Sequence, residues 1–165
     1  MLRRLVLGLS CVLMLAGCGF GLRQPADYVF TSLYSAVPPN SPLGVELYRQ
    51  LQAGGRLQLL SDPAQQKEAQ VILDILSEQR VKTVVGVSAT GQVREFQLRL
   101  VMKFRLRTPL GKVLIPETEL VQQRNMSYSE AFALAKETEE AFLYRNMQSE
   151  MVQQILRRLA AVRQL

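Results

Sequence analysis

The most regular pattern in the chain is a two-residue alternation between Phe96 and Arg107. Phe96, Leu98, Leu100, Met102, Phe104 and Leu106 point one way, and Glu95, Gln97, Arg99, Lys103, Arg105 and Arg107 point the other, with only Val101 out of place. Such alternation predicts a strand with one buried and one wet face. A similar pattern precedes it. Val71, Leu73, Ile75, Ser77, Gln79, Val81, Thr83, Val85 and Val87 hold the odd positions, while Asp74, Glu78, Arg80 and Lys82 hold the alternate face. The odd side is expected to be core. Ala89-Thr90-Gly91-Gln92 joins the two runs as a hairpin. After the turn Thr108-Pro109-Leu110-Gly111, a third strand is predicted from Val113 to about Met126. Pro116 interrupts it and cannot donate to a ladder, so this strand should be bulged or lie at an edge.

The flanks supply helices. Tyr28 to Ser35 reads as a first strand, closed by Val37-Pro38-Pro39-Asn40. Ser41 is then a cap and Pro42 a first helical residue, and Leu43, Leu47 and Leu51 repeat every four residues until Gly54-Gly55 ends the helix. A brief strand, Leu57 to Leu60, precedes the turn Ser61-Asp62-Pro63. Near the C-terminus Ser127 and Glu130 have capping-box spacing. Lys136 to Glu140 interrupt the apolar surface that Phe132, Leu134 and Ala135 begin, which predicts a short helix or turn before the main helix. In that main helix Tyr144, Met147, Met151, Ile155, Leu159 and Val162 form one stripe. The order predicts an α+β two-layer sandwich: a mostly antiparallel sheet of about four to five strands with two helices on one face. Arg99, Lys103 and Arg105 would stand on the other face.

The N-terminus changes the picture. Arg3 and Arg4 precede the apolar run Leu5 to Leu15, which is shorter than the ~20 residues a spanning helix needs. The box Leu15-Ala16-Gly17-Cys18 that follows resembles the lipobox of bacterial lipoproteins. The resemblance implies cleavage before Cys18, with S-diacylglycerol and N-acyl lipid on that residue. Residues 1–17 would be a signal peptide, 18–27 a lipidated tether and 28–165 a single domain. Gly19, rather than Asp, follows Cys18, which implies the outer membrane.

Composition narrows the chemistry. Removing residues 1–17, with their two arginines, takes the net charge from +6 to +4, which favours acidic partners. Cys11 would be discarded and Cys18 lipidated, so no disulfide is expected within one mature chain. Histidine is absent, which leaves serine-histidine and cysteine-histidine nucleophiles and histidine metal sites without their usual groups. Asp74 and Glu78 share a strand face, but four residues along a strand is ~13 Å, too far for a glycosidase pair. No catalytic residue, metal, cofactor or nucleic-acid partner is expected.

The fragments that follow Cys18 resemble a family. Gly19-Phe20-Gly21-Leu22-Arg23, Gly91-Gln92, Glu95-Phe96-Gln97, Val113-Leu114-Ile115-Pro116, Ala133-Leu134-Ala135-Lys136 and Gln154-Ile155-Leu156-Arg157-Arg158-Leu159 occur in the order and spacing of the LptE lipopolysaccharide-assembly lipoproteins. The resemblance implies an outer-membrane lipoprotein, periplasm-facing and seated in the lumen of the β-barrel protein LptD. It would assist assembly of that barrel, bind lipopolysaccharide and help deliver it to the outer leaflet, without covalent chemistry.

Site residues transfer by position. The family's basic residues are an arginine just before the Gly-Gln pair and a lysine ending Ala-Leu-Ala-Lys. The lysine is Lys136. The arginine is missing, because the loop reads Ser88-Ala89-Thr90-Gly91-Gln92, and Arg94 is the nearby substitute. Arg99, Lys103 and Arg105 are further candidates for lipopolysaccharide phosphates, against the plainer reading of a solvated sheet face. Thr108, Pro109 and Leu110 form an apolar hairpin tip, a candidate partner contact. The rival function is a generic outer-membrane lipoprotein serving as pilotin or assembly accessory for another barrel or a secretin.

Overall fold

The computed structural model describes residues 27–53 and 57–165. Five strands, β1 (Ser32–Ser35), β2 (Gln58–Leu60), β3 (Val71–Val87), β4 (Val93–Arg107) and β5 (Val113–Ser127), form one sheet in the order β2-β1-β3-β4-β5. Two helices, α1 (Pro42–Gln52) and α2 (Ala133–Ala160), pack on it, giving the expected α+β class. β3, β4 and β5 are antiparallel neighbours. β1 is parallel to both β2 and β3. The parallel β1–β2 pair follows from α1, which carries the chain back across the sheet before β2 begins, as a crossover must.

β4 is the centre of the core. Leu98, Leu100, Met102, Phe104 and Leu106 are all 0% exposed, and Met147, Met151, Val152, Ile155 and Leu159 of α2 cover them. Leu43, Leu47 and Leu51 bring α1 into the same cluster. On the opposite face a smaller cluster of Tyr34, Leu60, Ala69 and Ile72 seals the β1–β2 corner. Tyr28 and Phe30 stack with centroids 5.3 Å apart and belong to the main core without being strand, so the first strand is shorter than its aromatic run.

Three local expectations are corrected. The first concerns β3. Its odd positions are core only from Val71 to Ile75, because a bulge at Leu76 shifts the register and turns over the side chains that follow, up to the next bulge at Val85. Past it, Glu78, Arg80 and Lys82 pair with Met102, Leu100 and Leu98 and so share the helix side of the sheet, while Gln79, Val81 and Thr83 take the open side. The second concerns Ser127. It ends β5 instead of capping a helix, and a single 3-10 turn, Glu130–Phe132, follows Ser129, which makes no side-chain cap. The third concerns α2, which runs unbroken through Lys136–Glu140. Lys and Glu are strong helix formers, and Lys136 pairs with Glu139 one turn on at 2.7 Å.

Other local readings coincide with the structure. Ser41 caps α1, its Oγ accepting from the Gly44 N–H at 3.0 Å, and Pro42 occupies the first turn. Pro116 lies on the edge strand β5, where the register with β4 also shifts.

Gly44 is fixed by close approach. A Cβ there would lie 2.0 Å from the Pro38 carbonyl oxygen, a backbone atom. Gly44→Ala should therefore destabilise the domain by ~1–3 kcal/mol through overpacking, although alanine favours helix over glycine. Urea unfolding checks it; an increase in stability would show that the Pro38 segment yields.

Candidate functional site

The two ends of the sheet differ. At the far end β4 begins and β5 ends, with Glu95 opposite Ser127 and the Tyr128 N–H donating to the Arg94 carbonyl at 2.8 Å. α2 starts beside them. Its Lys136 Nζ donates to Ser127 Oγ at 3.1 Å and to Glu139 at 2.7 Å. Arg94 is exposed and has no side-chain partner among the described residues. Strand and helix thus bring Arg94 and Lys136 to one end of the molecule, although they are distant in sequence.

A third cation joins them unforeseen. Lys82 Nζ lies 4.3 Å from the Phe96 ring centroid and pairs with Glu140 at 2.6 Å, and Phe96 meets Tyr128 edge-on at 5.1 Å. The alternation had assigned Lys82 to the open face. The adjacent apolar pair Ile75-Leu76, which breaks strict alternation, was the signal for the bulge that moved it. Lys82 and Lys136 are each paired with a glutamate of α2, while Arg94 projects into solvent. A dianionic phosphate can compete for such cations through charge-assisted hydrogen bonds.

The open face is mostly neutralised. Lys103 faces Glu117 at 3.4 Å and Glu119 at 3.9 Å. Arg105 and Arg107 both donate Nε–H to Asp74 Oδ2, at 2.7 and 2.8 Å. Arg99, between Val81 and Gln123, is exposed and without a side-chain partner among the described residues. The structure therefore separates the predicted stripe from the far end, and leaves Arg99 as its unpaired member. Val101, out of pattern in sequence, lies opposite Val121 on this same face.

The near end carries the first described residues and Leu165. Thr31 enters beside Gln70, its N–H donating to Oε1 at 2.7 Å, and Lys112 Nζ donates to the carbonyl oxygen of Leu165 at 2.8 Å. The hairpin tip there exposes Leu110 at 98%, with Pro109 and Thr108 half-buried and Gly111 at φ +92°. β4, at 15 residues and ~3.4 Å each, sets this tip ~50 Å from Arg94. Cys18 lies outside the described residues.

Among the described residues no group of three or more histidine, cysteine, aspartate or glutamate side chains could hold a metal, and no helix is long and apolar enough to cross a membrane. A cleft of about 570 Å³ opens where β1 stops, between Val37, Pro38 and Leu43 on one side and Ile75, Arg80 and Gln148 on the other.

Comparison with known proteins gives concordant results. Residues 30–159 match the model of the family described as "LptE: Lipopolysaccharide-assembly". The chain is 29% identical over 161 residues to the LPS-assembly lipoprotein LptE of Pectobacterium atrosepticum, covering 96% of this chain and 84% of that one. It is 30% identical to the protein of the same name from Yersinia enterocolitica, covering 96% of this chain and 75% of that one. In structure it is similar to lipoprotein B of Nitrosomonas europaea, with a TM-score of 0.71 and 31% identity over 87% of this chain and 91% of that one.

The Asp74 cluster makes a pH-dependent prediction. Burial would raise the Asp74 carboxyl, but hydrogen bonds from Arg107 and Arg105 outweigh it and hold the pKa below the ordinary aspartate value. The unfolded carboxyl keeps that ordinary value, so the stabilisation is present above pH ~3.9 and is lost as pH falls through the lower folded value. Asp74→Asn should cost ~1 kcal/mol at pH 7 on this part-exposed face, with the gap to the native chain closing below pH ~4. Denaturant melts across that range check the sign.

Proposed function

The chain belongs to the LptE family of lipopolysaccharide assembly, which is non-enzymatic, and on that premise we propose that it is an outer-membrane lipoprotein seated inside the LptD β-barrel. Residues 1–17 are removed, Cys18 carries the lipid, and residues 18–27 tether the folded domain. It assists assembly of the barrel, binds lipopolysaccharide and helps pass it to the outer leaflet.

The observation that carries this reading is the convergence of Arg94 and Lys136 at one end of the sheet. Lipid A phosphates are anions at neutral pH, and an exposed guanidinium and a lysine at the same end of the sheet offer them both Coulomb attraction and directional donors. Arg94 fills the role of the arginine that the preceding loop lacks. Lys82 adds a third positive group from the helix side of the same hairpin. A phosphate would need only to draw Lys136 from Glu139, an exchange of one charge-assisted contact for another.

Two features support the placement. The first described residues enter the sheet at the near end, with Thr31 beside Gln70, so the domain joins its tether on the side ~50 Å from the cationic end. The uncovered sheet face, with Gln97, Arg99, Gln123, Asn125 and the paired ions around Lys103 and Asp74 about the apolar Val81, Val101 and Val121, is mostly polar in the manner of a barrel's inner wall. Leu110, at the near tip, is the apolar contact for the partner.

Lys136→Asp should weaken lipopolysaccharide binding about tenfold, the loss of one charge-assisted contact, while the chain still co-purifies with its barrel. Titration with purified lipopolysaccharide reads this out; unchanged affinity removes Lys136 from the site. Cys18→Ala should leave the domain folded but shift it from the membrane to the soluble periplasmic fraction when the barrel is depleted. Continued sedimentation with membranes in that background would refute the lipid anchor.

A further inference from the structure

The sheet has two outer edges among the described residues beyond the β1–β2 corner, and they are built differently. β5 bears the marks of an edge kept in water: Pro116, which cannot pair, the exposed acids Glu117 and Glu119, and polar Gln123 and Asn125. β3 does not. β1 pairs with β3 only from Val71 to Leu73, and past that point no described strand pairs with the outer side of β3. Along this stretch Leu76, Val81, Val84, Val85 and Val87 are 39–61% exposed, and Val81 and Val84 lie between the two bulges. From Val81 to Val87 the one charged residue, Lys82, has its ammonium turned to Glu140 and the Phe96 ring. A β-branched edge strand without proline is a template for another strand.

The usable length is set by the backbone. Register with β4 runs unbroken from Ser77 to Val84, between the bulges at Leu76 and Val85. That is longer than β1, which β3 holds by three register pairs. The 570 Å³ cleft lies in line with the end of β1, where the chain leaves the sheet at Ala36 and Val37, and is walled by Pro38, Leu43 and Ile75. Arg80 borders it with only long polar contacts, 3.5 Å to Gln148 and 3.8 Å to Glu78. Tyr144 Oη donates to the Val81 carbonyl, so the helix caps this edge at one position.

We propose that the outer edge of β3 from Ser77 to Val84 takes an extended segment of the barrel partner as an added strand, with an apolar side chain of that segment entering the cleft and a carboxylate or carbonyl meeting Arg80. Main-chain pairing gives such contacts their affinity and the side-chain pocket gives them selectivity. A second copy of the chain fits less well, because antiparallel self-pairing about Val81 sets Arg80 of each copy opposite Lys82 of the other. This inference rests on the barrel partnership proposed above.

The test uses the full lipidated chain co-expressed with its barrel, carrying a photoreactive benzoylphenylalanine at Thr83 or, on the opposite edge, at Glu119. Irradiation should link position 83 to the barrel polypeptide, with the linked peptide mapping to one extended segment, and should leave position 119 unlinked. Adding V81K and V84K, both at exposed positions, should lower the position-83 product about tenfold while the thermal midpoint of the purified domain stays in place. Three results would overturn the assignment: a position-83 product at twice the chain's mass, linking at position 119 with none at 83, or a product indifferent to the two lysines. Failure of the native chain to co-purify with the barrel would instead sink the partnership itself.

Discussion

The structure depends on one buried strand face. Five consecutive even positions of β4, Leu98 to Leu106, are fully excluded from water, and burying each such side chain is worth ~1.5–3 kcal/mol. That face must be covered, and α2 is the element long enough to do it, with Met147, Met151, Val152, Ile155 and Leu159 against the strand. The odd face of β4 is fixed by the same pleat, because successive side chains alternate. Placing the apolar residues under the helix therefore places Arg99, Lys103, Arg105 and Arg107 in the open, where Asp74, Glu117 and Glu119 come to meet three of them.

The same strand separates the molecule's tasks. Its start lies beside Ser127 and the first turn of α2, which brings Arg94 and Lys136 to one end; its end lies beside Thr31, Leu165 and the Leu110 tip. A strand of ~50 Å thus separates the end where Thr31 enters the sheet from the end where Arg94 and Lys136 lie.

Much of the candidate site was legible in the chain. Lys136 was named by the Ala-Leu-Ala-Lys fragment, and Arg94 by the arginine missing from the preceding loop. What could not be seen was which cations are spent. Lys103 and Arg105 look alike as members of an alternating stripe, yet they are neutralised by carboxylates from β5 and β3 respectively, and those partners follow from register. Lys82 was assigned to the wrong face for the same reason. A single extra residue at Leu76 reverses the orientation of all that follow until the next bulge.

The sequence by itself determined the long strands and the two main helices, the cap at Ser41, the bulge or edge at Pro116 and the buried side of β4, because each follows from a local period or from the chemistry of one residue. Only the tertiary structure decided the parallel placement of β1 and the side on which Arg80 and Lys82 stand. It also decided the continuity of α2 through Lys136–Glu140, and which strand edge was left unpaired. These depend on what packs against what: a bulge is tolerated where the pairing strand supplies the opposite register, and an edge is open only because β1 turns away at Ser35.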